Sequence, residues 1–332
     1  MIKNLFWSSE QHRVQAVWRM AFTLVLYGVI TAAGTTLLAL IMILAGVSGN
    51  ELTSYVVSKP GWQLALIIMV LVCTLVVSAL AARLIDRRRW ADLGFHFNRR
   101  WWGHFGFGLG LGALLMALIF GVELAAGWIT PTVIFVERSA GSFAFDFMLA
   151  TILFIGVGIY EELLFRGYLI KNLAEGTRAV NPHPRRAVIV AYLLSSAIFG
   201  LAHANNPNAT WLSTLNIGLA GLLLGLPYVL TGELATSMGL HITWNLFQGN
   251  VFGFPVSGGI FAPPTLIAIQ QGGPELFTGG AFGPEGGLIG VAAMVVGAGL
   301  TVLWVRRREG QLVLADTLPT YVARNYKRGE AQ

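Results

Sequence analysis

Residues 143–167 read FAFDFMLATILFIGVGIYEELLFRG, and the end of that stretch is at odds with its beginning. From Phe143 to Tyr160 the composition is that of a membrane-crossing helix, which needs about 20 predominantly apolar residues to traverse the hydrocarbon. The run then meets Glu161, Glu162 and, four residues on, Arg166. A charged side chain near the bilayer centre costs at least ~2.5–3.5 kcal/mol on insertion scales, so such residues mark a site and look for partners elsewhere in the chain.

The rest of the chain supplies the membrane. Of 332 residues 55% are hydrophobic and 11% charged, against about 25% charged in soluble domains. The mean hydropathy is +0.67. This composition predicts a polytopic membrane protein rather than a soluble one. Eight apolar segments are read as spans, at about 17–46, 62–84, 103–128, 143–170, 187–204, 211–231, 235–253 and 287–305. The expected fold is therefore all-α, a membrane helical bundle of about eight transmembrane helices. The first apolar run, about twenty-five residues long, exceeds the roughly 7–15 of a signal peptide and is expected to be retained.

Charge predicts orientation. Arg83, Arg87, Arg88, Arg89, Arg99 and Arg100 lie between the second and third spans. Lys171, Arg178, Arg185 and Arg186 follow the fourth, and Arg306, Arg307 and Arg308 follow the last. The long segment 254–286 has no Lys or Arg and holds only Glu275 and Glu285. Basic loops stay cytoplasmic, which places both termini there. The same rule accounts for the net charge of +6 without nucleic acid, as basic residues set orientation and meet anionic headgroups. Trp90, Phe95, Phe97, Trp101 and Trp102 among the arginines of 85–102 suit headgroup level. The single cysteine, Cys73, excludes an internal disulfide and a thiolate cluster, and reads as a small buried hydrophobe. Gly108/Gly112 and Gly221/Gly225 are spaced for close helix packing within the bundle; an oligomer is also permitted.

Within this frame Glu162 and Arg166 share a helix face and can neutralise each other. That leaves Glu161 as the acid without an assigned partner. Further polar residues sit in other spans: Phe199-x-x-x-His203 at the end of the fifth, and His241-x-x-x-Asn245 in the seventh. A lone histidine in an apolar helix is ordinarily a satisfied core residue. Two of them, with an asparagine and an unpaired glutamate, must meet or line a wet cavity. Such a set suits hydrolysis. A carboxylate with a histidine can take a proton from water, and a second histidine with an amide can stabilise an oxyanion. There is no Gly-x-Ser-x-Gly elbow and no activated cysteine, so attack by water is favoured over a covalent route. A metal remains an alternative, since Glu161, His203 and His241 could hold zinc. Against it stand the absence of a His-Glu-x-x-His motif and the presence of Arg166 beside the acids. A proton-coupled transporter and a non-catalytic membrane scaffold are the alternatives from other classes. A transporter predicts two related halves with broken spans, and no such internal repeat is found.

Glu161-Glu162-x-x-x-Arg166, Phe199-x-x-x-His203 and His241-x-x-x-Asn245, in that order, resemble the CPBP family, the CAAX-prenyl-protease-like and bacteriocin-processing intramembrane proteases also called Abi. The resemblance covers about 143–253 and implies a CAAX-protease-like peptidase core. On either side lie 1–142, N-terminal spans with an interfacial segment, and 254–332, an external loop, last span and polar tail. It implies that Glu161 activates water with His203, that Glu162 and Arg166 hold the site in shape, and that His241 and Asn245 bind the oxyanion. The family has been described both as metalloprotease-like and as metal-free; no cofactor is expected to be required. The implied partners are the bilayer and a membrane-associated or lipid-tethered peptide, in a multi-pass protein of a bacterial inner membrane. One difficulty remains. Glu161 lies well inside its span, whereas His203 is drawn near the outer end of its own.

Overall fold

The computed structural model describes residues 6–8, 11, 13–136, 142–180, 183–259 and 264–321. The terminal segments, expected on one side of the membrane, lie outside the described residues at 1–5 and 322–332.

A short hairpin, β1 (Trp7–Ser8) with β2 (Arg13–Val14), precedes α1 (Ala16–Leu44). Then come α2 (Leu52–Ser58), α3 (Pro60–Leu80), α4 (Arg99–Ala125) and the strand β3 (Ile129–Val136). Next are α5 (Phe143–Glu162), α6 (Lys171–Val180), α7 (Pro184–Ala202), α8 (Trp211–Thr231) and α9 (Ala235–Leu246). The chain ends with β4 (Thr265–Gln271), the single turn α10 (Glu275–Thr278) and α11 (Leu288–Glu309). Local chemistry sets the starts. Asn98 caps α4 by accepting from Trp101 N at 2.8 Å, Thr210 caps α8 by accepting from Ser213 N at 3.1 Å, and Pro184 opens α7 where its missing N–H is harmless. Gly232 and Gly310, at φ 71° and 73°, close α8 and α11 in the left-handed conformation.

Among the described residues seven helical segments are long and apolar enough to cross a membrane: Ala16–Leu44, Gly61–Ile85, Arg99–Ala125, Phe143–Ala179, Pro184–Ala202, Trp211–Thr231 and Leu288–Glu309. Their outward faces carry large apolar side chains, Leu24, Val25, Leu37 and Leu44 on α1 among them, that only lipid can cover. The architecture is an all-α polytopic bundle in an integral membrane protein. The eighth expected span, 235–253, differs from the rest. Its helix α9 is 12 residues long, prolonged by a widened turn Phe247–Val251, and every residue of α9 is buried by protein. It crosses the bundle as an inner helix and never meets lipid.

The ends of the helices sort into two faces. The arginine-rich face gathers 85–100, α6, the turn after α8 and the segment after α11. There His96 Nδ1 lies 2.8 Å from Glu233 Oε2, and Arg100 Nε donates to Glu309 Oε1 at 2.8 Å. On the opposite face β3 and β4 form an antiparallel pair, so the expected loop 254–286 carries a strand that ties it to the segment after α4. Of the interfacial aromatics, Phe97 and Trp102 are exposed, while Trp101 is buried and donates Nε1–H to Gly94 O at 2.9 Å. Cys73 is buried against Met69.

Glycines decide how closely α9 is held. Side chains on Gly108 and Gly112 of α4 would collide with the carbonyls of Thr236 and Leu240, and one on Gly239 with that of Phe105. Backbones therefore touch directly, and Thr243 Oγ1 donates across the seam to Leu109 O at 2.8 Å. Gly221 and Gly225 of α8 pack likewise on Ser196 and Tyr192 of α7.

Candidate active site

The charged end of α5 is not regular helix. After Glu162 the backbone widens over Leu163–Ile170 before α6 resumes, the kind of bulge that recurs at functional sites. Arg166 sits within it, buried, with its guanidinium 4.3 Å from the centre of the Phe199 ring. Its Nη1 donates to Glu162 Oε1 at 3.0 Å and its Nη2 to Gly221 O at 3.2 Å. The same Glu162 oxygen accepts from His241 Nδ1 at 2.8 Å. Glu162 thus joins α5 to α9 through one histidine and one arginine.

Glu161 points elsewhere. Oε1 accepts the Tyr160 hydroxyl at 3.0 Å, while Oε2 is buried with no hydrogen-bond partner among the described residues. That open oxygen lies 4.0 Å from His203 Nε2 and 3.9 Å from His241 Nε2. His203 Nδ1 donates to Phe199 O at 2.8 Å. Both rings are therefore fixed through Nδ1, one by a carbonyl and one by a carboxylate, and both turn Nε2 toward Glu161.

The depth of His203 follows from an antiparallel register. Helix α5 does not stop at 170; it continues as α6 to Val180, and α7 returns from Pro184. Phe165 and Phe199 lie equally far from that turn, and they meet, with rings 5.0 Å apart and Ser195 Oγ donating to Phe165 O at 2.8 Å. One turn back along α5 from Phe165 is Glu161; one turn on along α7 from Phe199 is His203. Helix α7 thus ends inside the bundle. The turn after it is roofed by the opposite-face loop, with Asn206 Nδ2 donating to Ser257 O at 3.0 Å and Asn208 Nδ2 to Gly258 O at 3.1 Å.

Asn245, one turn beyond His241, is buried and makes no hydrogen bond to another described residue. It lines a small cavity of about 40 Å³ with His203 and His241. Apolar walls come from Phe199, Ile217, Leu223, Leu224, Leu240 and Met294. All six residues singled out in the sequence are thereby brought together.

Two more participants are visible only here. Tyr160 orients Glu161. Glu285, from the loop before α11, reaches the same cavity, where Trp244 Nε1 donates to its Oε2 at 3.2 Å and Ser257 N to its Oε1. Burial pushes the Glu285 carboxyl above the usual range, and these donors offset part of the rise. An acid in a Gly-rich loop was the sequence signal for it, but nothing in the sequence tied that loop to α9.

The residues do not close on a metal. Ligands on a tetrahedral zinc at ~2.1 Å stand roughly 3.4 Å apart. Both imidazole nitrogens lie farther than that from Glu161 Oε2, and among the described residues no group of three His, Cys, Asp or Glu is arranged to hold a metal ion.

Residues 143–247 match the family model described as type II CAAX prenyl endopeptidase Rce1-like. No curated protein and no solved structure matches the chain. The matched segment runs from the start of α5 to the end of α9 and contains every residue of the polar cluster. Over those residues the chain carries a segment of the CAAX-protease-like family of intramembrane endopeptidases.

Proposed function

We propose that the protein hydrolyses a peptide bond of a membrane-associated or lipid-tethered peptide with water activated by Glu161. The observation that carries this reading is the meeting of Glu161 Oε2 with two imidazole Nε2 atoms, at 3.9 Å and 4.0 Å, beside a small cavity of about 40 Å³. Groups so spaced can share one water molecule, each within hydrogen-bond reach.

In this reading Glu161 Oε2 takes a proton from water while His203 Nε2 orients it. The hydroxide adds to the scissile carbonyl carbon, and the electron pair moves to the carbonyl oxygen. Asn245 Nδ2–H and His241 Nε2–H donate to that oxyanion. Donation from His241 Nε2 requires the doubly protonated ring, whose charge the Glu162 carboxylate at Nδ1 would balance. Collapse of the intermediate breaks the C–N bond, and the proton held by Glu161 passes to the departing amine. Glu162 and Arg166 position His241 and do not touch substrate. No metal is required, so a chelator should leave cleavage unchanged. The apolar walls suit a lipophilic portion of the peptide, and the bilayer is the second partner. The arginine-rich face is placed in the cytoplasm, as for a bacterial inner membrane protein.

Comparative peptidomics of membranes from cells carrying the intact protein and Glu161→Ala tests this. The variant should accumulate an uncut peptide that the intact protein removes. Wild-type cleavage by Glu161→Ala would sink the assignment.

A further inference from the structure

A second set of buried charges lies at the arginine-rich face. Its nearest member on the α5–α6 helix, Lys171, is about 15 Å along the chain from Glu161. Arg13, Arg19, Arg88 and Lys171 are 1%, 1%, 3% and 7% exposed, and they share that space with two buried carboxylates, Asp86 and Glu175. Glu175 Oε2 pairs with Arg13 Nη2 at 2.6 Å and Arg19 Nη2 at 2.7 Å, and its other oxygen meets Arg88. Asp86 Oδ1 pairs with Arg19 Nη1 at 2.5 Å. Three guanidiniums therefore use up both carboxylates. Lys171 Nζ has no ion pair and no hydrogen bond with a described residue.

Lys171 and Arg88 line a cavity of about 450 Å³, together with His96, Asn98 and Arg100. Two acids share the wall, one ion-paired and one capping a helical turn. Glu233 faces His96 Nδ1 at 2.8 Å and Arg100 Nη1 at 3.4 Å, and Asp92 Oδ2 accepts from Arg89 N at 3.1 Å. The cavity thus presents a buried ammonium with three unused donors beside a guanidinium; over its wall and the buried network together, Arg13, Arg19, Arg88, Arg100 and Lys171 outnumber Asp86, Asp92, Glu175 and Glu233 by one. Burying an unpaired charge is costly, and an anion entering the cavity would remove that cost.

We propose that this cavity binds a phosphate group, held by Lys171 and flanked by Arg88. Phosphate supplies acceptors for the ammonium and matches the guanidinium fork. The exposed Phe97 and Trp102 mark headgroup level beside it. The phosphate can therefore come from an anionic lipid headgroup or from a soluble phosphate. The site is independent of the peptidase reading.

The test uses the full-length protein, purified in detergent and stripped of lipid. Inorganic phosphate is titrated by calorimetry, and retention of phosphatidylglycerol against phosphatidylcholine is measured in nanodiscs. Lys171→Gln should weaken anion binding by at least about tenfold, and Lys171→Arg should keep it to within about threefold. Without anion, Lys171→Gln should melt no lower than the parent, because it removes an unpaired buried cation. The added anion should raise the melting temperature of the parent and of Lys171→Arg alone. Binding of phosphatidylglycerol but not phosphate would support a headgroup site, and the reverse a soluble ligand. If neither binds better than phosphatidylcholine, or Lys171→Gln binds as the parent does, the proposal fails.

Discussion

Glu161 and Glu162 are neighbours in sequence and opposites in bonding. Each leaves Oε2 without a hydrogen bond to a described residue, but Glu162 Oε1 is shared between Arg166 and His241, while Glu161 Oε2 faces two imidazoles. Their substitutions should therefore fail differently. Glu162→Gln removes the ion-pair partner of the buried Arg166, and breaking a buried pair costs about 3–5 kcal/mol. Its thermal unfolding in detergent should shift down markedly, with loss of cleavage. Glu161→Gln should unfold within a few degrees of the parent and yet cleave nothing. Asn245→Ala should lower kcat by about 10²–10³ with little change in KM, since an oxyanion donor acts only in the transition state. A KM effect alone in a peptide-cleavage assay would assign Asn245 to binding instead. At this scale the helix period made much legible: the Glu162–Arg166 pair and the histidines followed from spacing. Tyr160 and Glu285 did not, because one is an ordinary apolar-helix residue by type and the other acts across the fold.

Elements explain how the depth problem resolves. The α5–α6 helix overshoots the span expected for it, and α7 starts correspondingly far out, so the hairpin register, rather than the length of α7, sets the level of His203. Helix α9 is placed by backbone contact with α4, and the glycines at that seam leave no room. Gly112→Val should push α9 away and carry His241 and Asn245 with it. Overpacking costs typically about 1–3 kcal/mol, so the protein should still fold while kcat falls well beyond what that loss explains. Gly110→Ala, on open space in the same helix, is the control and should change neither. Equal activities of the two variants would show that the seam does not position the site.

At the scale of the whole molecule, the opposite-face loop is part of the site. Glu285 braces it by accepting from Ser257 N and Trp244 Nε1, and burial raises its carboxyl pKa. A raised folded pKa contributes stability in full below the ordinary carboxylate range and loses it as pH rises through the raised value. Amide exchange at 252–259, corrected for intrinsic rate, should therefore quicken as pH rises above the ordinary carboxylate range. His203 and His241 face the same cavity, so Glu285→Gln is the discriminating variant. It should remove most of the pH dependence; an unchanged profile would overturn this role for Glu285.

What the sequence determined by itself is the solvent and the chemistry. Apolar length demanded a bilayer, arginines divided the loops into two groups, and the charges of Glu161, Glu162 and Arg166, with the spacing of His203, His241 and Asn245, singled out six candidate residues. The tertiary structure alone decided which helix is shielded from lipid, where α7 ends, and which loop closes the cavity. The physical reason is that hydropathy reports transfer into lipid, residue by residue. Helix α9 is surrounded by protein, so its polar residues carry no such signal, and the register of α5–α6 against α7 depends on side chains far apart in the chain.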